Sequence, residues 1–171
     1  RIADAETGTI CADGEIGIIE LRGDNVFQGY WEMPTKTAES FRDDGFFITG
    51  DLAVRDADGY ISIVGRDKDM IISGGLNVYP REVESLVDDV VGVIESAVIG
   101  VPHPDFGEAV VAIVAADDGA VSPNDITAAV DGKLAKFKQP KAVRIVPSLP
   151  RNSMGKVQKA ALRQTYAALF A

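Results

Sequence analysis

Short apolar stretches separated by turn-forming residues fill the first 65 positions of the chain. Ile16–Leu21 has the length and composition of a strand and is followed by a cluster of turn residues. Residues 52–55 and 60–64 are two further apolar stretches, and the Asp- and Gly-containing sequence between them is typical of a hairpin turn. Residues 34–43 begin with Pro and show helical spacing. The pattern predicts mostly β structure with one short helix.

From about residue 68 onward, apolar residues recur alternately at helical and at strand spacing. Pro80 precedes one helical stripe, and Ser122-Pro123-Asn124-Asp125 resembles the capping box that begins a helix. The two predicted helices carry apolar stripes made of Val83, Leu86, Val87 and Val90, and of Ile126, Val130, Leu134 and Phe137. Strands are predicted at 94–101, 109–116 and 142–147, and a final helix at 158–170. The change of pattern indicates two parts that meet near residues 65–69.

Composition excludes several kinds of chemistry. A chain of 171 residues, 46% of them hydrophobic, can bury a core without disulfides or a structural metal. Cys11 and His103 are the single cysteine and histidine, so neither a disulfide nor a metal site is expected. No apolar run approaches the ~20 residues of a membrane span, and the charged start does not resemble a signal peptide. We therefore expect a cytoplasmic protein with no membrane-spanning segment. The polar start without Met suggests a segment of a longer polypeptide.

The charge is distributed unevenly along the chain. The formal net charge is −9, but the last 40 residues contain nine Lys and Arg and no acidic residue, so the first 131 carry −18. A basic end on an acidic body suggests contact with anions, such as nucleic acid, nucleotide phosphates or an acidic partner, and solvated helix charges are the alternative. Because aromatic residues are scarce in the basic end, nucleic-acid binding is not expected.

Neither common phosphate-binding loop is present, because the sequence lacks both Gly-x-x-x-x-Gly-Lys-Ser/Thr and Gly-x-Gly-x-x-Gly. His103 lies between two prolines in a predicted loop, so a structural role is expected for it rather than catalysis.

Three local clusters could carry chemistry. Thr49-Gly50-Asp51 leaves a carboxylate at a strand start, where its two oxygens can accept hydrogen bonds from the hydroxyls of a ribose; a plain turn is the alternative. Residues 65–84 combine a charged run with a Gly pair that lets a ligand approach the backbone, and a linker is the alternative. Within residues 150–159, Lys156 is a mobile cation suited to a carboxylate or phosphate, and a solvated surface lysine is the alternative.

In this order and spacing, the clusters resemble the C-terminal part of the adenylate-forming enzymes, which include acyl-CoA synthetases, firefly-type luciferases and the adenylation domains of peptide synthetases. The resemblance covers essentially the whole chain. It rests on Gly29-Tyr30-Trp31 with Pro34 and Thr37, Thr49-Gly50-Asp51, residues 65–84, residues 101–108 and Gly155-Lys156. Ser73-Gly74-Gly75 and residues 136–141 are most similar to acyl-CoA synthetases, and residues 150–159 resemble those of malonyl-CoA synthetases.

The resemblance implies a two-step reaction in which a carboxylate and MgATP give an acyl-adenylate and pyrophosphate, and the thiol of CoA then displaces AMP. It implies that Asp51 binds the ribose hydroxyls of ATP or AMP, with Arg66 as a further donor. Lys156 would bridge the carboxylate and the α-phosphate, and Lys68 would be the hinge between two poses of the small domain. Ser73, Gly74 and Gly75 would line the tunnel for the pantetheine of CoA.

The resemblance also implies an α+β fold in two domains. Residues 1–66 would be the β-rich end of the large domain, and residues 67–171 the small mobile domain, with a short hairpin, a three-stranded sheet and packed helices. The phosphate-binding loop, most of the Mg²⁺ contacts and the acyl pocket would lie outside this chain. The region around Lys156 also resembles sites modified by a protein lysine acetyltransferase and deacetylase.

Two other functions remain open beside this one. The chain could be a non-catalytic interaction domain that retains the fold, although the presence of Asp51, Arg66 and Lys156 together argues against it. It could also belong to an adenylation enzyme that serves a different acceptor.

Overall fold

A computed structural model describes all residues from Arg1 to Ala171. Helices and mainly antiparallel sheets form an α+β fold, which confirms the predicted fold class. The chain divides into two compact units, Arg1–Lys68 and Asp69–Ala171, each with its own sheet. No helix is long and apolar enough to cross a bilayer.

The first unit is a four-stranded antiparallel sheet with one short helix. Its elements are β1 (Ile2–Ala3), β2 (Ile16–Leu21), α1 (Pro34–Glu39), β3 (Phe47–Arg55) and β4 (Ile61–Arg66). The strands lie in the order β1-β2-β3-β4. The predicted hairpin is confirmed, since β3 pairs with β4 from Arg55 opposite Ile61 to Asp51 opposite Arg66.

Helix α1 is shorter than the sequence pattern predicts, and ends at Glu39 rather than at residue 43. Phe41 instead forms an isolated antiparallel bridge with Phe47. The two rings also pack with Phe27 at centroid distances of 5.0–5.8 Å. Aromatic packing and strand-like pairing therefore end the helix where spacing alone would have continued it.

A charged cluster ties the first unit together. The Glu20 side chain is fully buried, and its two carboxylate oxygens accept hydrogen bonds from Arg1 Nε and Arg42 Nε, each at 2.8 Å. A buried carboxylate is costly unless it is paired, and here each oxygen has its own guanidinium partner.

The second unit is a five-stranded sheet with three helices. After a 3-10 turn at Asp67–Asp69, its elements are β5 (Ile71–Ser73), β6 (Leu76–Val78), α2 (Pro80–Asp88), β7 (Val93–His103), β8 (Gly107–Ala116), α3 (Pro123–Val130), β9 (Ala142–Val146) and α4 (Lys159–Thr165). The strand order is β6-β5-β8-β7. Strand β9 pairs in parallel with residues 111–115 of β8, after the point at which β5 contacts Gly107. The predicted hairpin therefore joins the predicted three-stranded sheet rather than standing apart from it.

Strand β8 is buried on both faces. Val110, Ala112 and Val114 pack against residues of α2 and α3, whereas Val111 and Ile113 pack against Leu149, Leu162 and their neighbours. This explains why residues 109–116 read as a continuous apolar run instead of an alternating one.

Helix α3 starts as predicted but ends early. Ser122 and Asp125 form a capping box, in which the Ser122 hydroxyl and N–H hold the pKa of the Asp125 carboxyl below its usual value. The helix ends at Val130, because Asp131 has extended backbone and Gly132 has φ +72°. Leu134 and Phe137, predicted to lie on the helix, pack on the same core from the turns that follow. The final helix likewise ends at Thr165 instead of residue 170.

Candidate functional site

Asp51 and Arg66 are direct partners across the β3–β4 ladder. Arg66 Nε lies 2.5 Å from Asp51 Oδ1, and the Asp51 and Arg66 side chains are 26% and 51% exposed. The sequence cluster that carries Asp51 and the one that begins at Gly65 therefore meet at one place in the first unit. The pair presents a carboxylate and a guanidinium to solvent, which together can bind a polyhydroxylated group through accepted and donated hydrogen bonds.

The backbone at Asp51 is held in place by the residues before it. The Thr49 hydroxyl donates to the carbonyl of Ile19 at 2.9 Å and accepts from the N–H of Asp51 at 3.0 Å. Gly50 has φ +74°, in the left-handed region that favours glycine. Thr-Gly-Asp is therefore a specific local structure at the β2–β3 contact and not a free turn.

Ser73, Gly74 and Gly75 form the end of the β5–β6 hairpin. Ser73 pairs with Leu76, so Gly74 and Gly75 are the two loop residues, with φ of +60° and +78°. Positive φ at both loop positions is the type I′ turn, in which glycine costs little strain. Ser73 is only 2% exposed, and the Gly74 N–H donates to the carbonyl of Phe106 at 2.9 Å. The loop therefore exposes the backbone of Gly74 and Gly75 to solvent, while Ser73 at the base of the hairpin is buried.

Lys156 lies in a tight loop that Asn152 organises. The Asn152 side-chain oxygen accepts hydrogen bonds from the N–H groups of Met154 and Lys156, at 3.0 and 2.9 Å. The backbone of Asn152 also exchanges hydrogen bonds with Gly155 and Lys156. Gly155 has φ +77°, and the Arg151 guanidinium donates to its carbonyl. The exposed Lys156 side chain is therefore carried by an ordered backbone.

Four of the other eight basic residues of the C-terminal segment form ion pairs within the second unit. Lys138 Nζ contacts Glu82 at 2.8 Å, Lys159 Nζ contacts Glu84 at 2.6 Å, and Arg163 contacts Asp69 at 2.7 Å; Arg151 pairs with Glu95. Lys156 is not among these ion pairs. Much of the basic charge therefore holds the fold together, and its excess is a poor guide to an external ligand.

Lys68 is the last residue of the first unit and lies in the 3-10 turn at Asp67–Asp69. No group of three or more His, Cys, Asp or Glu side chains is arranged to hold a metal ion. His103 packs its ring on Phe106 and Phe170 at centroid distances of 4.8 and 4.9 Å, and its Nδ1 accepts from the Asp105 N–H.

Sequence reasoning missed two residues that shape these sites. Asn152 could have been found from the turn sequence Asn-Ser-Met-Gly, because Asn at the first and Gly at the fourth position favour a hydrogen-bonded turn. Glu108 supports the hairpin through a side-chain hydrogen bond to Ile72, 36 residues away in sequence. No local pattern could have shown that contact.

The chain is similar to a known domain family and to known CoA ligases. Residues 82–156 match the AMP-binding enzyme C-terminal domain. The long-chain-fatty-acid–CoA ligase FadD13 of Mycobacterium tuberculosis is 44% identical over 163 residues, 95% of this chain and 32% of that protein. The sulfoacetate–CoA ligase of Cupriavidus necator is 41% identical over 158 residues, 89% of this chain and 30% of that protein.

A solved structure extends the match to the whole chain. ATP-bound MatB from Rhodopseudomonas palustris superposes with a TM-score of 0.94 and 56% identity, over 100% of this chain and 34% of that one. Residues 82–156 are therefore an AMP-binding enzyme C-terminal domain, and the whole chain is similar to part of the acyl-CoA ligases. It spans about a third of the length of the relatives that it matches.

The Asn152 contacts predict how the Lys156 loop responds to substitution. Asn152→Ala removes the acceptor for two backbone N–H groups, and one such hydrogen bond contributes about 1 kcal/mol, or about fivefold in an opening equilibrium. Because two such bonds are lost, we expect amide hydrogen exchange of a peptide spanning 150–158, followed by mass spectrometry, to accelerate about 5- to 30-fold. Asn152→Asp keeps the oxygen and should exchange nearly as the original does; equal acceleration in both variants would contradict this account of the loop.

Proposed function

We propose that the chain is the C-terminal portion of an acyl-CoA synthetase that activates a carboxylic acid with ATP and transfers the acyl group to CoA. The observation that supports this best is the similarity to ATP-bound MatB along the entire chain. The CoA ligases among the relatives support the same reaction class. The two units would then be the end of the large domain and the small C-terminal domain.

Asp51 is proposed to accept hydrogen bonds from the ribose hydroxyls of ATP. Its pairing with Arg66 supports this role, because the guanidinium fixes the direction of the carboxylate and leaves further N–H donors for the nucleotide. Mg²⁺ would arrive with the ATP phosphates and be held by residues outside this chain.

Lys156 is proposed to act in the first step only. The attacking carboxylate and the α-phosphate are both anionic, so their approach needs a cation between them. No general base is required, since the carboxylate is already ionised at neutral pH. An exposed ammonium on an ordered loop meets this requirement, because the backbone stays fixed while the long side chain reaches the reactants.

In the second step, the thiol of CoA releases its proton to solvent as the sulfur attacks the acyl carbonyl. A C–S bond forms, the bond between the acyl carbon and the phosphate oxygen breaks, and AMP leaves with the electrons of that bond. Ser73, Gly74 and Gly75 are proposed to line the path of the pantetheine, where bare backbone allows a close approach. Lys68 is proposed as the hinge between the two steps, which its location at the boundary of the two units supports.

The acid is proposed to be a short dicarboxylate such as malonate, on the basis of the resemblance of residues 150–159 to malonyl-CoA synthetases. Relatives named for fatty acids, sulfoacetate and ferulate show how widely the acid varies among similar chains. A cytoplasmic location is proposed with it. Reversible acetylation of Lys156 by a lysine acetyltransferase and deacetylase is proposed as its regulation, because acetylation removes the charge that the first step needs.

The role of Lys156 is tested by measuring the two half-reactions separately. In the complete enzyme, Lys156→Ala should slow acyl-adenylate formation by about 10²–10³-fold or more, because a charge positioned for the transition state is lost. Thioester formation from preformed acyl-adenylate should remain near normal. Lys133→Ala removes another exposed lysine of the basic segment and serves as the control. Normal adenylation by Lys156→Ala, measured as pyrophosphate release, would refute the role of Lys156.

The hinge is tested by backbone chemistry. Lys68→Pro fixes φ near −65° and removes an N–H, so it should hold the enzyme in one pose and impair one half-reaction far more than the other. Lys68→Ala leaves the backbone free and is the control. Equal loss in both half-reactions with normal folding would argue against a hinge.

The proposed acid is tested with a substrate panel. Pyrophosphate release by the complete enzyme should be fastest with malonate among short mono- and dicarboxylates. Faster release with a monocarboxylate would show that the acid has been assigned wrongly, whereas no release with any acid would favour a non-catalytic interaction domain.

A further inference from the structure

The β5–β6 hairpin is attached to its sheet by very few backbone contacts. Only one residue pair, Ser73 opposite Gly107, joins β5 to β8. The Gly74 N–H donates to the carbonyl of Phe106 just beyond that pair. On the other side of the pair, the Ile72 N–H donates not to a carbonyl but to Glu108 Oε2, at 2.8 Å. A side-chain carboxylate therefore takes the place of a missing backbone acceptor at the base of the hairpin.

The strand beneath Glu108 is shaped to receive this side chain. Glu108 lies opposite Pro102 in the β7–β8 ladder, so its side chain extends toward Gly100, the residue two positions earlier on the same face. A Cβ atom at Gly100 would lie 2.7 Å from Glu108 Oε1, 2.8 Å from Cδ and 3.0 Å from Oε2. Gly100 is not one of the glycines with a positive φ, so its backbone conformation does not explain why this position is glycine. The absence of a side chain at Gly100 leaves the space that the carboxylate fills.

We propose that Glu108, seated over Gly100, is a positioning residue that fixes the Ser73-Gly74-Gly75 hairpin for the CoA-dependent half-reaction. The inference rests on the proposed function, because it assigns the hairpin to the pantetheine path. A charged acceptor makes a stronger hydrogen bond than a neutral one, and this one restrains a strand that has a single ladder pair with β8. Loss of the contact frees the hairpin to move, which weakens the binding of CoA without touching the groups that bind ATP.

The test compares both half-reactions in the complete enzyme. Glu108→Ala should raise the KM for CoA about tenfold in thioester formation from preformed acyl-adenylate, with adenylation changed less than twofold. Glu108→Gln keeps an oxygen at the same reach and should restore the KM to within about threefold of the original. Asp125→Ala, which disrupts the distant α3 capping box, is the control for general destabilisation and should leave the KM for CoA unchanged.

Gly100 provides a second, independent variant. Gly100→Ala should displace the flexible carboxylate and reproduce the Glu108→Ala phenotype in a protein that keeps Glu108. Combining the two substitutions should add no further loss, because the methyl group then occupies vacated space. Additive losses would overturn the inference, as would equal effects of Glu108→Ala on both half-reactions, no effect on either, or failure of Glu108→Gln to restore the KM.

Amide exchange distinguishes failure of this inference from failure of the proposed function. Exchange of a peptide containing Ile72 should accelerate in Glu108→Ala and in Gly100→Ala, and not in Asp125→Ala. If the unsubstituted enzyme makes no thioester, the proposed function fails, while the exchange data still test the positioning contact. Unchanged exchange at Ile72 would overturn the contact itself.

Discussion

The second unit depends on the burial of strand β8 on both faces and its pairing on both edges. One edge pairs with β7 along the length of the strand, and the other is shared by β5 at the start and β9 further on. Two apolar cores, one under α2 and α3 and one under α4, lie on opposite faces of the sheet, and β8 contributes buried residues to both. The first residues of β8 hold the tip of the β5–β6 hairpin, while Ile71 and Val78 anchor the hairpin in the core.

The elements predicted best from sequence were those whose signals are local. The capping box at Ser122 and the Pro-started helix at Pro80 were correct because cap chemistry acts over three or four residues. The apolar run of β8 was equally clear. Helix ends were wrong where tertiary contacts decided them: Phe41 leaves α1 to join an aromatic cluster, and Leu134 reaches the core from a turn, so helical spacing continued past the end of each helix.

The same difference between local sequence signals and tertiary contacts applies to the candidate sites. Asp51, Gly74 and Lys156 were identified from short motifs, yet the motifs could not show that Asp51 and Arg66 are ladder partners or that Asn152 anchors the Lys156 backbone. The charge count was more misleading, since four residues of the basic end pair with acidic residues of their own unit. Net charge does not distinguish cations that bind a ligand from cations that neutralise neighbours.

The ion pair between Asp69 and Arg163 has a mechanical consequence. Asp69 is the first residue of the second unit, and the bond to Arg163 fastens it to α4, near the end of the chain. The start of the second unit and its last helix, 94 residues apart in sequence, are therefore held together by a direct side-chain contact.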